Sequence, residues 1–149
     1  MNRLELTGAI FREVGIIQER LDFLLKENLP QNLPPVQFKL LNHLIYTTNT
    51  DETVSELADN SHVSLSAMSQ IIKQLIKKGY VKLHTRNQDA RKKTIEITSQ
   101  GREAHNLARQ LVAMDIQPLA NEFTLAFLGS LHASLHQYRI QFEQSVSTK

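Results

Sequence analysis

The apolar residues between positions 57 and 75 limit the fold of this chain more than any other feature of its sequence. Their spacing predicts two short helices, at about residues 54–60 and 65–78, joined by a short turn. Six side chains should face inward: Leu57, Ala58, Val63, Met68, Ile72 and Leu75. Ser64 can accept from the free amides at the start of the second helix, and Gly79 suits the left-handed position after it. This spacing is that of a helix–turn–helix.

Two segments of alternating residues follow Gly79. Residues 80–84 and 94–98 predict a β-hairpin, with one apolar face directed toward the core: Val81, Leu83, Ile95 and Ile97. The polar residues 86–93 between them predict a long loop, and loops of that length are usually functional or mobile. A helix–turn–helix followed by such a hairpin has the order of a winged helix.

Long helical patterns flank this lobe on both sides. The first runs to about Asn28 with one apolar stripe: Leu6, Ile10, Val14, Ile17, Leu21 and Leu24. Prolines then introduce a helix over residues 35–46, in which Phe38, Leu41, Leu44 and Ile45 should face inward. After the hairpin, Thr98 or Ser99 should cap a helix that ends at about Ile116, where Pro118 is expected to interrupt it.

The last predicted helix is about 27 residues long, and it repeats apolar residues mostly every four positions from Leu119 to Phe142. A stripe of that length needs a partner, so we expect the two ends of the chain to pack together and against a second copy. The predicted dimerisation residues are Ile10, Ile17, Leu21, Phe127, Leu131, Leu135, Tyr138 and Phe142.

The expected fold class is mainly α with a small β-hairpin wing (α+β). We predict one domain over residues 1–149, with a winged helix–turn–helix lobe at 34–98 and a helical dimerisation region at 1–30 and 100–146.

Basic residues are concentrated in the lobe. Residues 73–93 hold eight Lys or Arg and one acid, a net charge of +7, whereas the remainder holds nine basic and fourteen acidic residues, a net charge of −5. Such a patch is what a phosphate backbone attracts. The predicted DNA contacts are Ser64, Ser66, Ser69, Gln70 and Lys73 on the second helix, with Arg86, Arg91, Lys92 and Lys93 on the wing.

The sequence resembles the MarR (multiple antibiotic resistance regulator) family over nearly its whole length. The resemblance rests on Leu57-Ala58, Val63-Ser64, Leu75, Gly79-Tyr80-Val81, Asp89-Ala90-Arg91 and Ile97-Thr98-Ser99-Gln100-Gly101. It implies that Arg91 enters the minor groove and that Asp89 orients it. It also implies a homodimeric repressor that binds pseudo-palindromic DNA and is released by a small anionic or aromatic effector. Ser61 and His62 depart from the family, which more often has an apolar residue and a glycine there.

The alternative function is a winged-helix module that binds a protein partner and no DNA. The many lysines argue against it, because lysine is depleted at the centre of protein interfaces.

His132 and His136 share a helix face and have a spacing that binds metals, but the polar face of a dimerisation helix explains them better. We do not expect an enzyme. The five glycines are isolated and so form no glycine-rich phosphate loop, and no sequence pattern indicates an activated nucleophile. We also expect no cofactor, no metal and no membrane span, and a cytoplasmic location, because the chain lacks cysteine, a signal-type segment and a long apolar run.

Overall fold

The structure, a computed structural model, describes residues 1–47, 51–86 and 89–147, and for residues 86, 89–92 and 147 it describes the backbone alone. These ranges contain six helices and two strands. In chain order they are α1 (Arg3–Asn28), α2 (Pro35–Tyr46), α3 (Val54–Asn60), α4 (Leu65–Lys77), β1 (Val81–Arg86), β2 (Asp89–Ile97), α5 (Ser99–Asn121) and α6 (Leu125–Ser147). The predicted fold class, mainly α with a hairpin wing, is confirmed.

Side-chain caps explain where several helices begin. Asn2 and Glu5 form a reciprocal capping box at α1, with both hydrogen bonds 2.9 Å long. Thr53 and Glu56 form a second capping box at α3. The predicted cap at Ser64 is present, since its Oγ accepts from the Ala67 amide at 3.0 Å.

The chain divides into two compact units, Met1–Val112 and Ala113–Lys149. In the first unit, the core lies between the helix–turn–helix, α2, the hairpin, the end of α1 and the first half of α5. Leu41, Leu57 and Leu75 are fully buried there. Five of the six predicted inward side chains of the helix–turn–helix are buried, but Val63 is 37% exposed and that prediction is wrong. Val63 lies in the turn, where its backbone amide bonds to the Ala58 carbonyl at 3.0 Å while its side chain faces outward.

The hairpin is antiparallel and pairs Val81 with Ile97 and Leu83 with Ile95. Val81, Ile95 and Ile97 are buried as predicted, but Leu83 is 39% exposed. The two strands are covered by different elements, since α2 and α3 contact β2 whereas α4 contacts β1.

The long loop predicted at residues 86–93 is also wrong. β1 continues to Arg86 and β2 begins at Asp89, with a shift in register between Thr85 and Arg86. Backbone pairing needs no apolar alternation, and residues 84–94 are almost all polar, so the sequence pattern gives no sign of this extension. Asn87 and Gln88, between the strands, lie outside the described residues.

Helix α5 continues through Pro118 to Asn121, so the predicted interruption at Pro118 is wrong. Proline removes one helical hydrogen bond, and here the helix continues despite that loss. The break comes later, where Thr124 caps α6 by accepting from the Phe127 amide at 3.2 Å. The last helix therefore begins at Leu125 and not at Leu119. At the other end of α5, Thr98 is the cap, since its Oγ accepts from the Gly101 amide at 3.0 Å.

Both long terminal helices keep apolar side chains exposed. Of the predicted dimerisation residues, Ile10 and Tyr138 are half-buried and the other six are 40–63% exposed: Ile17, Leu21, Phe127, Leu131, Leu135 and Phe142. None of the helices within the described ranges combines the length and the hydropathy that crossing a bilayer requires.

Candidate nucleic-acid interface

Helix α4 separates a buried face from a polar one. Met68, Ile72 and Leu75 anchor it in the core. The opposite face exposes Ser66, Gln70, Lys73 and Lys77, whereas the predicted contact Ser69 is half-buried at its edge. Four of the predicted side chains, at positions 64, 66, 70 and 73, are therefore accessible along one helix. Ser64 accepts a hydrogen bond as the cap, and its hydroxyl proton stays available to an acceptor.

The turn before α4 is held by backbone hydrogen bonds. The His62 amide bonds to the Asp59 carbonyl at 3.1 Å and the Val63 amide to the Ala58 carbonyl at 3.0 Å. His62 has a φ of 53°, in the left-handed region that favours glycine. This is the position at which the sequence departs from the family's more common glycine, so the backbone keeps the glycine-like turn with a histidine in it.

The described part of the wing carries both signs of charge. Lys93 is exposed, and Lys82 lies 3.5 Å from the Glu96 carboxylate, which His84 also contacts. These contacts lower the pKa of Glu96, and the hydrogen bond with His84 contributes most to the lowering. The sequence analysis did not identify Glu96, although its place opposite Lys82 in the hairpin register was a usable signal.

Four predicted wing residues lie outside the described side chains: Arg86, Asp89, Arg91 and Lys92. Their backbones belong to the strands, and Arg86 pairs with Asp89 in the register. Their contacts with DNA, and the orientation of Arg91 by Asp89, stay predictions.

A buried carboxylate joins α2 to α3. Glu52 is 6% exposed, its Oε2 lies 2.6 Å from His43 Nε2, and its Oε1 accepts from Asn60. Hydrogen bonds of this kind satisfy a charge that would be costly to bury alone. The sequence analysis missed this cluster, because its three residues lie on separate segments of the chain and form no local pattern.

A cavity of about 270 Å³ lies between α2 and the helix–turn–helix. Its lining is mostly apolar, with one ammonium and one imidazole: Val36, Lys39, Leu40, His43, Ser61, Val63, Met68 and Ile71. As for metals, the described residues include no group of three His, Cys, Asp or Glu side chains that could hold an ion. The rings of His132 and His136 stack at 6.2 Å between centroids.

A helix–turn–helix with an exposed polar and cationic face, followed by an antiparallel hairpin, defines a winged helix–turn–helix protein. Comparison with known proteins agrees with this class. The MarR family model matches residues 33–93. No curated protein matches the chain.

Three solved structures of regulators are similar to the chain. Wild-type MarR from E. coli, in its apo form, is 26% identical, with a TM-score of 0.69 over 85% of this chain and 94% of that one. A mutant of that MarR complexed with operator DNA is 24% identical, with a TM-score of 0.66 over 93% and 99%. The PcaV transcriptional regulator from Streptomyces coelicolor, in complex with its natural ligand, is 14% identical, with a TM-score of 0.63 over 93% and 95%. Residues 33–93 therefore resemble a MarR-family domain, and most of the chain is similar in fold to solved MarR structures.

Proposed function

We propose that this chain is a sequence-specific DNA-binding repressor that acts as a homodimer on a pseudo-palindromic operator. The observation that carries the proposal is the exposed face of α4, where Ser66, Gln70, Lys73 and Lys77 line one side of a helix anchored by its opposite side. Serine and glutamine have the hydrogen-bonding groups that read base edges, and lysine binds guanine or phosphate. The operator complex of E. coli MarR supports the proposal.

In this proposal, residues 34–98 form the DNA-binding lobe, and residues 1–30 and 100–146 form the dimerisation region. Arg91 would enter the minor groove beside the recognition helix, and Asp89 would hold its guanidinium, since a carboxylate matches the planar fork of arginine. Arg86, Lys92 and Lys93 would contact the phosphate backbone. Their place in a segment with a net charge of +7 supports this assignment.

A small molecule would release the protein from DNA by binding more tightly to a lobe arrangement that does not fit the operator. The support for an effector is the ligand complex of PcaV. In this chain, the cavity between α2 and the helix–turn–helix is a candidate site for a small aromatic molecule, because its walls are mostly apolar.

The experiment that tests this function begins with selection of bound duplexes from random sequence. Binding to the recovered site is then measured by fluorescence anisotropy. Gln70→Ala and Ser66→Ala should change which bases are preferred, with a loss of about 1–3 kcal/mol for each good base contact. Lys92→Ala and Lys93→Ala should instead weaken all duplexes alike and reduce the salt dependence.

Two outcomes would contradict the proposal. If both pairs of variants behave alike, α4 does not read bases. If the wild-type chain binds no duplex, or binds without a steep dependence on salt, a winged-helix module for a protein partner becomes the better explanation.

A further inference from the structure

One buried glutamine connects three segments of the first unit. Gln37, on α2, is 2% exposed, and both ends of its amide are hydrogen-bonded. Its Nε2 donates to Gln74 Oε1 at 2.6 Å, and its Oε1 accepts from Lys78 Nζ at 2.5 Å. The polarity of the amide is fixed by Lys78, because an ammonium group can only donate.

Lys78 is also bound to a second acceptor. Its Nζ donates to the backbone carbonyl of Asn32 at 2.5 Å, and the Asn32 side chain lies 3.4 Å from the Tyr80 hydroxyl. Partial burial lowers the pKa of the Lys78 ammonium. This cation is therefore directed into the turn between α1 and α2, although its sequence position lies within the basic segment.

The two bonds of Gln37 restrict how α4 can rotate. Gln74 lies in the last turn of α4, and Lys78, four residues later, is the residue that follows the helix and still has helical backbone angles, so the two side chains lie on the same side. An amide that donates to one and accepts from the other fits a single rotation of the helix about its axis. Together with the buried side chains of α4, the two bonds fix the direction in which the shared face of Ser66, Gln70 and Lys73 points.

We propose that Gln37 and Lys78 are positioning residues for base recognition, which fix the rotation of α4 against the turn between α1 and α2, and that Lys78 makes no phosphate contact. This inference rests on the proposed function, since it concerns how the same helix reads DNA. In this inference, Lys78 holds α4 in position, whereas other cations of the basic segment bind the phosphate backbone of DNA.

The first test measures the salt dependence of binding to a fluorescein-labelled duplex of mixed sequence. Lys78→Met keeps most of the side-chain stem and should leave the slope of log K against log salt unchanged. The matched controls are Lys73→Met and Lys77→Met, which should each lower that slope by about one for each subunit on the DNA. If Lys78→Met lowers the slope as much as the controls do, Lys78 contacts phosphate and the inference is wrong. If Lys78→Met does not fold by circular dichroism, Lys78→Gln takes its place in the same measurement.

The second test compares the duplex selected by the wild-type chain with a scrambled duplex. Gln37→Leu should reduce the preference for the selected duplex about tenfold, the loss of about one base contact, and should leave binding to the scrambled duplex unchanged. Gln37→Glu should keep the wild-type preference for the selected duplex. Its carboxylate still accepts from Lys78, and the Gln74 amide can turn to donate to it. A merely structural role would weaken both duplexes together in proportion to lost stability.

The outcomes separate this inference from the proposed function. A wild-type chain that binds no duplex overturns the proposed function. A wild-type chain that prefers its selected duplex, with Gln37→Leu preferring it equally, overturns only the positioning role of Gln37.

Discussion

Gly101 lies where the hairpin meets α5, and no other residue type fits there. A Cβ at this position would be 2.1 Å from the Tyr80 carbonyl oxygen and 2.9 Å from Ile97 Cγ1. The close approach lets Thr98 connect the two elements, since its amide bonds to the Tyr80 carbonyl at 3.0 Å and its hydroxyl to the Gly79 carbonyl at 2.6 Å. The sequence analysis included Gly101 only through the family resemblance, and the structure gives the physical reason.

Gly101→Ala should therefore lower the free energy of unfolding by about 3 kcal/mol, because backbone and a buried side chain must move to admit one methyl group. Gly129→Ala is the matched control. It lies inside α6 with nothing within 4 Å of the added Cβ, so it should raise stability by about 0.5–1 kcal/mol. Urea unfolding followed by circular dichroism measures both. Equal effects of the two substitutions would show that the contact with Tyr80 does not constrain position 101.

His62 offers a second test at the scale of one residue. Its φ of 53° is unfavourable for most side chains and free of strain for glycine. His62→Gly should thus change the free energy of unfolding by less than about 1 kcal/mol, whereas His62→Val should lower it by about 1–2 kcal/mol, because β-branched residues are the least tolerant of this conformation. The same unfolding measurement applies. If His62→Val proves as stable as the wild-type chain, the left-handed turn is contradicted.

At the scale of elements, His105 joins α5 to α2. It is 3% exposed and stacks on Phe38 with 5.0 Å between ring centroids. Its Nε2 lies 3.0 Å from Asn42 Oδ1, and because that oxygen only accepts, Nε2 carries a proton in the neutral ring. Burial, and then the nearby Arg109 charge, lower the pKa of His105.

This lowered pKa gives a pH dependence with a definite sign. The unfolded chain takes up a proton at His105 at a higher pH than the folded chain does, so the stabilisation is complete above the unfolded-state pKa of about 6.5 and is lost as the pH falls through the lower folded-state pKa. The free energy of unfolding should decline as the pH falls from about 7.5 into the acidic range. His105→Phe, which keeps an aromatic ring against Phe38, should make that decline smaller. His136→Phe, at an exposed histidine, should not, and an unchanged decline in His105→Phe would contradict the role of His105.

Element boundaries were predictable where the chain carries a local stop or start signal. The prolines before α2, the cap at Ser64 and the glycine after α4 gave these boundaries to within a residue. The helix end predicted near Pro118 was wrong, because a single proline removes only one hydrogen bond from a long helix. The outer part of the hairpin was missed for a different reason: its residues are almost all polar, and alternation marks only strands with one buried face.

The recognition face of α4 was predictable because it is the complement of a buried stripe, and both follow from the same helical period. The polar groups that connect the helices to one another were not. Gln37, Glu52 and Lys78 find their partners on other elements, so no spacing along the chain reveals them. Val63 and Leu83 show the same limit for apolar residues, since an apolar side chain is buried only if some element covers it.

At the scale of the whole molecule, the long helices expose apolar side chains that a partner could cover. On α6, four side chains of the predicted seam are 43–49% exposed: Phe127, Leu131, Leu135 and Phe142. On α1, Ile17 is 63% exposed. Exposed apolar side chains repeated along a helix are typical of an interface. A second copy of the chain is the partner that we propose, and two-fold symmetry would then bring the same seam from both subunits together.

Leu131→Glu and Leu135→Glu test that seam. In a two-fold dimer each substitution enters the interface twice, and a carboxylate removed from water without a partner costs several kcal/mol, so either variant should sediment as a monomer at micromolar concentration. Leu125→Glu is the matched control: it lies on the same helix, is 86% exposed and is not part of the predicted seam, so it should leave the dimer intact.

The effect on DNA follows from geometry. The half-sites of a two-fold operator lie about one helical turn, or 10–10.5 base pairs, apart, and a dimer binds both at once. A monomer contacts only one half-site at a time. The two seam variants should therefore lose far more affinity for the selected duplex than for a duplex that carries a single half-site. Analytical ultracentrifugation and anisotropy measure the two effects on the same samples. Seam variants that remain dimers while Leu125→Glu dissociates would place the interface on the opposite side of α6. If all three remain dimers, α6 does not form the dimer contact, and the exposed stripe of α1 becomes the surface to substitute next.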